Sequence, residues 1–398
     1  THFVMQHFNC YGGVSTRQFG FRPKHSTVTQ LLCCIDNWTE ALAAKRTVYI
    51  AYVDLKKAFD SVSHFKLINA LKAKGLGSSI LNWLSSYLSD RNQLVNMNGT
   101  LSSPAPITSG VLQGSCIGPC AFLGMIDSLI CELETFEDIE VFGFADDIKL
   151  FSENPHKLQT ALNALERWCN IWQLSVSPTK CHILHIGKGP EPIFKLSGVD
   201  LPYADSARDL GIIIDKSLTF SEHCSGLAKS GKRSAFLTLR CFHSGRVAPL
   251  LRAYTTFVRP KLEYATHAFS PAHKKDSNSV ENVQKYYTRR LFAKCGLKYV
   301  DYDKRLKYLK LDRLDIRRAK LDIVLCHKMY QNLTPNCQLL TKSMNTKSTR
   351  NDCHLLNDRL GCLSRMNFFS NRVVNMWNGI PQNILLGSEK DLKNYINL

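Results

Sequence analysis

The sequence predicts an α+β protein in which helices cover one face of an antiparallel sheet, followed by a mainly helical and strongly basic region. Three observations support this prediction. Residues 47–53 are β-branched and aromatic, as in a buried strand, and apolar residues alternate along 139–151, as in a hairpin. Beyond about residue 225 the apolar residues recur at helical spacing.

Local signals mark the first strand and the helices after it. The strand at 47–53 runs directly into Asp54, so a carboxylate is expected at its end. Ser63 is a typical N-cap for the next helix, and Gly75 is a typical residue to end it. A second helix is predicted from about residue 79 to residue 88.

A hairpin, a helix and a short strand are predicted next. Asp146 and Asp147 occupy the turn of the hairpin at 139–151. Asn154, followed by proline, is a typical N-cap, and the apolar spacing after it predicts an amphipathic helix. A further short strand is predicted near residues 181–186.

The second half of the chain is predicted to be helical. Apolar residues at 250–258 form one stripe, which Pro260 is expected to stop, and residues 283–291 form another. Eight lysines and arginines in 304–320 have a spacing that would wrap around a helix surface. Residues 334–367 are polar and poorly periodic, and we interpret them as a linker or loosely folded segment.

Charge is distributed unevenly along the chain. Lysine and arginine total 51 and aspartate and glutamate total 33, for a net charge of +18. Residues 1–200 hold 17 of each sign, so the whole surplus lies in residues 201–398, with 34 basic and 16 acidic side chains. A neutral half joined to a basic half is typical of proteins that bind a polyanion. A basic surface that serves only solubility is the alternative.

Composition excludes several classes of protein. The 15 cysteines include no CxxC pair, so a zinc ribbon, a zinc knuckle and a thioredoxin-type motif lack support. No run of about 18 apolar residues and no signal-peptide pattern occurs, which argues against a membrane partner. We expect an intracellular protein, with the nucleus and the cytoplasm both open, and its first residue, Thr1, suggests a fragment.

Three carboxylates form the candidate catalytic cluster. Asp54 ends a strand and Asp146 and Asp147 occupy a hairpin turn, so all three converge if the strands are neighbours in one sheet. Carboxylate oxygens suit Mg²⁺ or Mn²⁺, and two such ions can activate an attacking 3′-oxygen and stabilise the leaving oxygen in phosphoryl transfer. Taken alone, an Asp-Asp pair at a turn is more often turn chemistry.

Eight ordered motifs strengthen this interpretation because together they resemble one family. Five resemble the reverse transcriptase domain of non-LTR (LINE-type) retrotransposons: GFRPKHST (20–27), YVDLKKAFDSV (52–62), SGVLQGSCIGP (109–119), FADD (144–147) and SVSPTKC (175–181). Three more are similar to the tail of Jockey-like elements: VRPKLEYA (258–265), VENVQKYYTRR (280–290) and FFSNRVVNMWNGIP (368–381). The resemblance covers nearly the whole chain.

The resemblance implies roles for five residues around the carboxylates. Asp54 and Asp146 would be ligands of Mg²⁺ or Mn²⁺, and Asp147 would join or tune the metal site. Lys180 would lie near the triphosphate and stabilise the pyrophosphate leaving group, with a solvated loop lysine as the alternative. Phe59 would exclude a 2′-hydroxyl and so select deoxynucleotides, with a core aromatic as the alternative.

Four further residues are implied in nucleotide and template binding. Gly110 and Gly114 would let the backbone approach the nucleotide and template closely. Gln113 would contact the incoming base pair and the template, and Arg22 would contact the template or a phosphate. Leu112 stands where the family usually has proline, which removes no catalytic group.

The implied fold is a right-hand polymerase with an antiparallel-sheet palm. We expect partial fingers at 1–45, the palm at 46–225, a basic helical thumb-like region at 226–333 and a C-terminal tail region at 334–398. The residues expected to contact the nucleic-acid backbone are Arg289, Arg290, Lys310, Arg313, Arg317 and Arg318.

The implied function is RNA-directed DNA polymerase activity on an RNA template, with a DNA primer or target DNA and dNTPs. The earlier fingers strands are absent, so we expect an N-terminally truncated chain whose own activity is open. One alternative is a polymerase like an intron-encoded maturase. Another is a truncated or co-opted copy that acts only as a nucleic-acid-binding protein.

Overall fold

The computed structural model describes residues 2–11, 13–335, 338–342, 353–357 and 361–397. The chain forms two compact units. Unit 1 comprises Thr1–Gln30 and Arg46–Asp205, and unit 2 comprises Leu31–Lys45 and Ser206–Leu398. The fingers, palm, thumb and tail divisions are functional assignments and stay predictions.

Unit 1 is a mixed α/β unit. Its helices are α1 (His2–Cys10), the start of α2 (Thr27–Ala43), α3 (His64–Ala73), α4 (Ser78–Leu88), α5 (Gly118–Glu134) and α6 (Pro155–Trp172). Its strands are β1 (Val48–Val53), β2 (Leu55–Lys56), β3 (Asn92–Gln93), β4 (Asn96–Met97), β5 (Thr100–Leu101), β6 (Ala105–Pro106), β7 (Glu140–Phe144), β8 (Asp147–Ser152), β9 (Ser175–Val176), β10 (His182–Ile186), β11 (Lys195–Leu196), β12 (Val199–Asp200) and β13 (Tyr203–Ala204).

A five-stranded sheet in the order β13-β10-β1-β8-β7 forms the centre of unit 1. Strand β1 pairs antiparallel with β8 on one side and with β10 on the other, with Val53 opposite Ile148. Strands β7 and β8 form the predicted hairpin. All side chains of β1 are buried except that of Tyr52, which is partly buried, so both faces of this central strand are covered.

Helices α5 and α6 contribute much of the apolar core of unit 1. Helix α5 is apolar on nearly all sides and buries residues along its whole length. Helix α6 is amphipathic and begins as predicted, since the Asn154 side chain accepts hydrogen bonds from the backbone N–H groups of His156 and Lys157.

The two predicted helices after β1 are also confirmed, as α3 and α4. Ser63 occupies the N-cap position of α3, but its side chain makes no capping hydrogen bond.

The N-terminal segment of unit 1 is bound to the β7–β8 hairpin. The backbone N–H of Phe19 donates to the carbonyl of Gly143 at 2.8 Å, and the N–H of Gly143 donates to the carbonyl of Arg17 at 3.0 Å. The buried Gln18 amide accepts from the N–H of Ala145 at 2.9 Å and donates to the carbonyl of Ala145 at 3.2 Å. The side chain of Gln18 therefore fixes the turn at which Asp146 lies.

Unit 2 contains a short hairpin and a series of helices. The hairpin is β14 (Ser206–Asp209) with β15 (Ile212–Asp215). The helices are the end of α2, α7 (Ser221–Cys241), α8 (Val247–Ala253), α9 (Arg259–Glu263), α10 (Lys274–Lys294), α11 (Tyr302–Leu309), α12 (Leu314–Tyr330), α13 (Leu363–Met366), α14 (Phe369–Asn378), α15 (Gln382–Leu385) and α16 (Glu389–Tyr395). Among the described residues of both units, no helix is both long enough and apolar enough to cross a membrane.

The prediction that Pro260 ends a helix is wrong. Helix α8 continues through a π-helical turn at Tyr254–Val258 into α9, which has Pro260 in its first turn. Proline lacks the N–H that an α-helix needs, and the wider i→i+5 turn just before it accommodates that loss. The apolar stripe is also narrower than expected, since Tyr254 and Val258 are buried but Phe257 is half exposed.

The basic stretch at 304–320 does not form one helix surface. Helix α11 ends at Leu309, the next residue, Lys310, adopts a left-handed backbone conformation (φ 53°), and α12 begins only at Leu314. The prediction of a continuous basic helix is therefore wrong. Propensity alone did not reveal the break because lysine and leucine both favour helices.

The segment at 334–367 lies partly outside the described residues. Its described parts bury Leu339, Leu340, Cys353 and Leu355, and they include α13. A loosely folded linker is therefore the wrong description for these parts.

A buried ion-pair network joins three segments of unit 2. Asp322 of α12 is buried and accepts hydrogen bonds from Nε of Arg372 at 2.8 Å and from Nη2 at 3.1 Å. Nδ1 of His267 lies 2.9 Å from Oδ1 of Asp322. Burial alone would raise the pKa of Asp322, but Arg372 and His267 hold it below its usual range.

The close approach of Gly20 to the hairpin turn generates a stability prediction. A Cβ at residue 20 would lie 2.4 Å from the backbone N of Ala145, and that backbone is held by Gln18. We expect Gly20→Ala to lower the free energy of unfolding by about 1–3 kcal/mol, the usual cost of overpacking. Urea unfolding measures this, and unchanged stability would contradict it. Gly226→Ala is the control, because a Cβ there meets open space on helix α7.

The Asp322 network generates a second stability prediction. Arg372→Met leaves a buried carboxylate without its main partner, so we expect a loss of about 3–5 kcal/mol in the free energy of unfolding. Arg167→Met, at an exposed position on α6, is the control and should change it by less than about 0.5 kcal/mol. Adding Asp322→Asn to the first variant should recover part of the loss. A first variant as stable as the parent would refute the prediction.

Candidate active site

The sheet register brings Asp54 and Asp146 together. Asp54 directly follows β1, whose last residue, Val53, lies opposite Ile148 of β8. Asp146 lies in the turn between β7 and β8, after Ala145, which adopts a left-handed backbone conformation (φ 59°). Burial raises the pKa of Asp146, and the negative charge of Asp54 raises it further.

Asp54 is held by contacts with the segment between β9 and β10. Its carbonyl accepts from the backbone N–H of Ser177 at 2.8 Å, and its N–H donates to Sγ of Cys181 at 3.4 Å. Oδ2 of Asp54 is buried without a hydrogen-bond partner among the described residues and lies 3.4 Å from Nζ of Lys180. The Lys180 side chain itself is largely exposed.

Asp147 is placed differently from the other two acids. It is the first residue of β8 and is exposed, whereas Asp146 is half-buried. Within the described part of the chain, no three His, Cys, Asp or Glu side chains are close enough together to hold a metal ion. The structure thus brings together Asp54, Asp146 and Lys180, and Asp147 follows Asp146 directly as the first residue of β8.

Phe59 follows Asp54 by five residues and lies at the edge of the core. Its ring is stacked on Phe122 of α5 with a centroid distance of 4.1 Å and meets the exposed ring of Phe21 edge-on at 6.3 Å. The residue is half-buried, so its ring both packs against the core and reaches the surface. This position is compatible with both roles considered for Phe59, which are exclusion of a 2′-hydroxyl and packing in the core.

The glycine-rich segment before α5 packs on the turn after β1. A Cβ at Gly110 (φ 87°) would lie 2.7 Å from the backbone of Asp60, so this glycine is required by an internal contact. Nε2 of Gln113 donates to Oδ1 of Asp60 at 2.7 Å. Gly114 (φ 81°) faces open space, which leaves its backbone accessible.

Arg22 is engaged by its own segment. Its Nη1 donates to the carbonyl of Ser15 at 2.5 Å and to the carbonyl of Gln18 at 3.1 Å. Burial lowers the pKa of Arg22, with Asp127 opposing the shift. The guanidinium therefore braces the loop that carries Gln18, which is a structural task that the motif alone did not reveal.

Two residues that fix the site were missed by the sequence reasoning. Gln18 holds the Ala145 turn, and the buried Asp127 of α5 accepts from the N–H of Ser15 at 2.6 Å and pairs with Lys74. A buried carboxylate in an otherwise apolar helix is a signal that could have identified Asp127. Gln18 carried no signal, because its role depends on a contact with residues more than 120 positions away.

The cations expected to bind the nucleic-acid backbone fall into two groups. Arg289, Arg290 and Lys310 are exposed. The other three make internal contacts: Arg313 pairs with Asp315, Arg317 pairs with Glu263, and Arg318 is buried with its Nη2 3.0 Å from Oγ of Ser277. In this arrangement Arg317 and Arg318 hold helices together and are not presented to a phosphate.

The sequence is similar to RNA-directed DNA polymerases of mobile elements. It is 28% identical over 317 residues to the RNA-directed DNA polymerase from mobile element jockey of Drosophila melanogaster, covering 74% of this chain and 34% of that protein. It is 30% identical over 285 residues to the probable RNA-directed DNA polymerase from transposon BS of the same species, covering 67% and 31%. The chain thus spans about a third of the length of these curated relatives.

Similarity to solved structures is more remote. With a telomerase from Candida albicans in complex with a fragment of telomeric RNA, the TM-score is 0.41 at 14% identity, covering 84% of this chain and 56% of that chain. With apo telomerase from Candida tropicalis, the TM-score is 0.41 at 11% identity, covering 78% and 60%.

A family model described as reverse transcriptase (RNA-dependent DNA polymerase) matches residues 3–214, more than half of the chain. This match includes Asp54, Asp146, Asp147 and Lys180. The predicted resemblance to the reverse transcriptases of Jockey-like non-LTR retrotransposons is confirmed, and so is the predicted α+β polymerase fold with its antiparallel sheet. The chain belongs to the reverse transcriptase (RNA-dependent DNA polymerase) family.

Proposed function

We propose that this chain carries the catalytic centre of an RNA-directed DNA polymerase of a non-LTR retrotransposon. The observation that carries the proposal is the juxtaposition of Asp54 and Asp146 at one end of the sheet, with Lys180 beside them. In this proposal the 3′-oxygen of a DNA primer forms a bond to the α-phosphorus of a dNTP. The bond from that phosphorus to pyrophosphate breaks, and the proton of the 3′-hydroxyl leaves to solvent.

The residues present fit a divalent cation such as Mg²⁺ or Mn²⁺. Oδ2 of Asp54 is buried and lacks a hydrogen-bond partner in the described structure, and the like charge of Asp54 disfavours ionisation of Asp146. Oxygen ligands of this kind suit hard divalent cations. A bound cation would supply charge stabilisation for the transferring phosphate and would favour the ionised form of Asp146.

Three side chains of this protein would assist the proposed reaction by stabilising charge or by holding the site in position. Lys180 is exposed and can turn from Asp54 towards a triphosphate, where its ammonium would stabilise the negative charge that develops on pyrophosphate. Gln18 keeps the Ala145 turn, and with it Asp146, in one position. Gln113 is held by Asp60 beside the accessible backbone of Gly114, where a template base pair could lie.

The proposed partners are an RNA template, a DNA primer or target DNA, and dNTPs. The jockey and BS relatives are named as RNA-directed DNA polymerases, and this supports the nature of the template and the product. The surplus of positive charge in residues 201–398 supports a polyanionic partner. Arg289, Arg290 and Lys310 are exposed and are the residues proposed to contact phosphates.

The metal-ligand proposal predicts the effect of Asp146→Asn. The substitution removes one negative oxygen donor, so we expect it to lower Mg²⁺-dependent primer extension at least about 100-fold while primer–template affinity changes less than about threefold. Mn²⁺ titration gives a second readout that does not depend on synthesis, and the variant should bind Mn²⁺ more weakly. Asp90→Asn is the matched control, at an exposed position where asparagine tolerates the left-handed backbone.

Two results would count against this proposal. Equal extension by Asp146→Asn and the parent chain would remove the carboxylate pair from catalysis. Binding of primer–template without extension by either protein, even with Mn²⁺, would favour the alternative that this chain acts only in nucleic-acid binding.

The position of Phe59 generates a prediction about sugar selection. Phe59→Val removes a half-buried ring that follows Asp54 by five residues, so we expect the ratio of rNTP to dNTP incorporation to rise about tenfold or more. Primer extension with each nucleotide type measures that ratio. Phe65→Val, on the exposed face of α3, should leave it unchanged. An unchanged ratio in the Phe59 variant would assign Phe59 to the core alone.

A further inference from the structure

Two cavities on the helical part of unit 2 are not used by the proposed polymerase centre. The first, of about 400 Å³, lies between α7 and α10. It is lined by Phe236, Leu239, Tyr286, Arg290, Ala293 and Lys294. The second, of about 310 Å³, lies beside the C-terminal end of α7 and is lined by Phe242, Pro249, Arg252, Ala253, Thr256 and Phe257.

The two cavities are neighbours. Nζ of Lys294, which lines the first cavity, donates to the carbonyl of Phe242, which lines the second, at 2.5 Å. Phe242 and Phe257 both line the second cavity, and their ring centroids lie 5.9 Å apart in a tilted contact. We call the surface formed by both cavities the aromatic groove, and it consists of Phe236, Phe242, Phe257 and Tyr286 with Arg252, Arg290 and Lys294.

Three of the four rings of the aromatic groove are exposed to solvent. Phe236 is 51% exposed, Phe257 is 50% exposed and Phe242 is 37% exposed. A single exposed apolar residue needs no explanation, but a cluster of exposed rings on one surface indicates a binding site. The flat faces of these rings favour a ligand that is itself flat and apolar on its faces.

The charged side chains in the two sequence stretches that carry the rings are all positive. Residues 223–262 contain eight lysines and arginines and no aspartate or glutamate. Residues 282–300 contain five and again no acid. These two stretches supply every lining residue of both cavities. The ligand is therefore anionic as well as flat.

We propose that the aromatic groove binds unpaired nucleotides of a single-stranded nucleic acid. The bases stack on Phe236, Phe242 and Phe257, and the phosphates lie against Arg252 and Arg290. Rings and cations interleaved in this way bind single strands without strong sequence preference. In a duplex the base faces are already stacked on one another, so these rings would have little to bind.

The guanidinium of Arg290 is already oriented by the groove. It lies 5.8 Å from the ring centroid of Tyr286, a cation–π arrangement that holds the side chain over the first cavity. Lys294 differs, because its Nζ donates to the carbonyls of Leu239 and Phe242 and so closes the end of α7. Arg290 is therefore the better residue for testing a phosphate contact.

This inference rests on the proposed function in taking nucleic acid as the polyanion and Arg290 as a phosphate contact, and it adds the form of the ligand and the rings that would bind it. The test uses the full chain with Phe236→Leu and Phe257→Leu combined. Leucine keeps an apolar side chain but has no flat face to stack on a base. The control is Tyr395→Leu, an exposed aromatic on α16 outside the groove.

The measurement is fluorescence anisotropy with labelled 20-nucleotide oligo(dT), oligo(rU) and a blunt DNA duplex as probes. We expect the double variant to raise the Kd for both single strands roughly tenfold or more, since each base–aromatic stack accounts for about 5- to 150-fold. The Kd for the duplex should change less than twofold, and the control should match the parent. Arg290→Gln should reduce the slope of log affinity against log salt by about 0.7.

Each other outcome overturns the inference. Equal weakening of single-strand and duplex binding would make the groove a general phosphate surface. Unchanged binding of all three probes would remove nucleic acid as its ligand and would leave an acidic protein segment as the occupant. The inference and the proposed polymerase function fail separately, because primer extension by the parent chain is measured independently of ring-dependent binding of oligo(dT).

Discussion

The antiparallel pairing of β1 with both β8 and β10 is the interaction on which the candidate site depends. A strand that is hydrogen-bonded along both edges cannot shift its register without breaking both ladders, and a shift of one residue would turn every side chain to the other face. Asp54 therefore stays beside the turn that carries Asp146. The two carboxylates are held together although burial and the negative charge of Asp54 raise the pKa of Asp146.

The hairpin that carries Asp146 is fixed from outside the sheet as well. Gln18 hydrogen-bonds both backbone groups of Ala145, and Gly20 lies so close to that backbone that only glycine fits. Arg22 and Asp127 in turn brace the segment that carries Gln18. The turn is thus positioned by several hydrogen bonds from a segment far away in sequence, and this gives the Asp146 carboxylate a defined place.

The basic surplus of unit 2 divides into two populations with different tasks. Cations such as Arg317, Arg318 and Arg372 are buried or paired with acids, and they join helices within the unit. Breaking such pairs leaves an uncompensated charge in a low-dielectric environment, so they are structural. The exposed population lies in residues 223–241 of α7 and 282–294 of α10, which contain no acids, and it is this population that is available to a polyanion.

The sequence by itself determined the elements whose signals are local. The Asp146–Asp147 hairpin, the Asn154 cap and the amphipathic helix after it follow from residues within a few positions of one another. Local signals were wrong at Pro260, where a π-helical turn accommodates the missing N–H, and at Lys310, where the chain bends between two good helix formers. Only the tertiary structure decided which cations are buried, that Gln18 holds the hairpin turn, and which carboxylates meet, because those contacts join residues far apart in the chain and leave no periodic pattern in it.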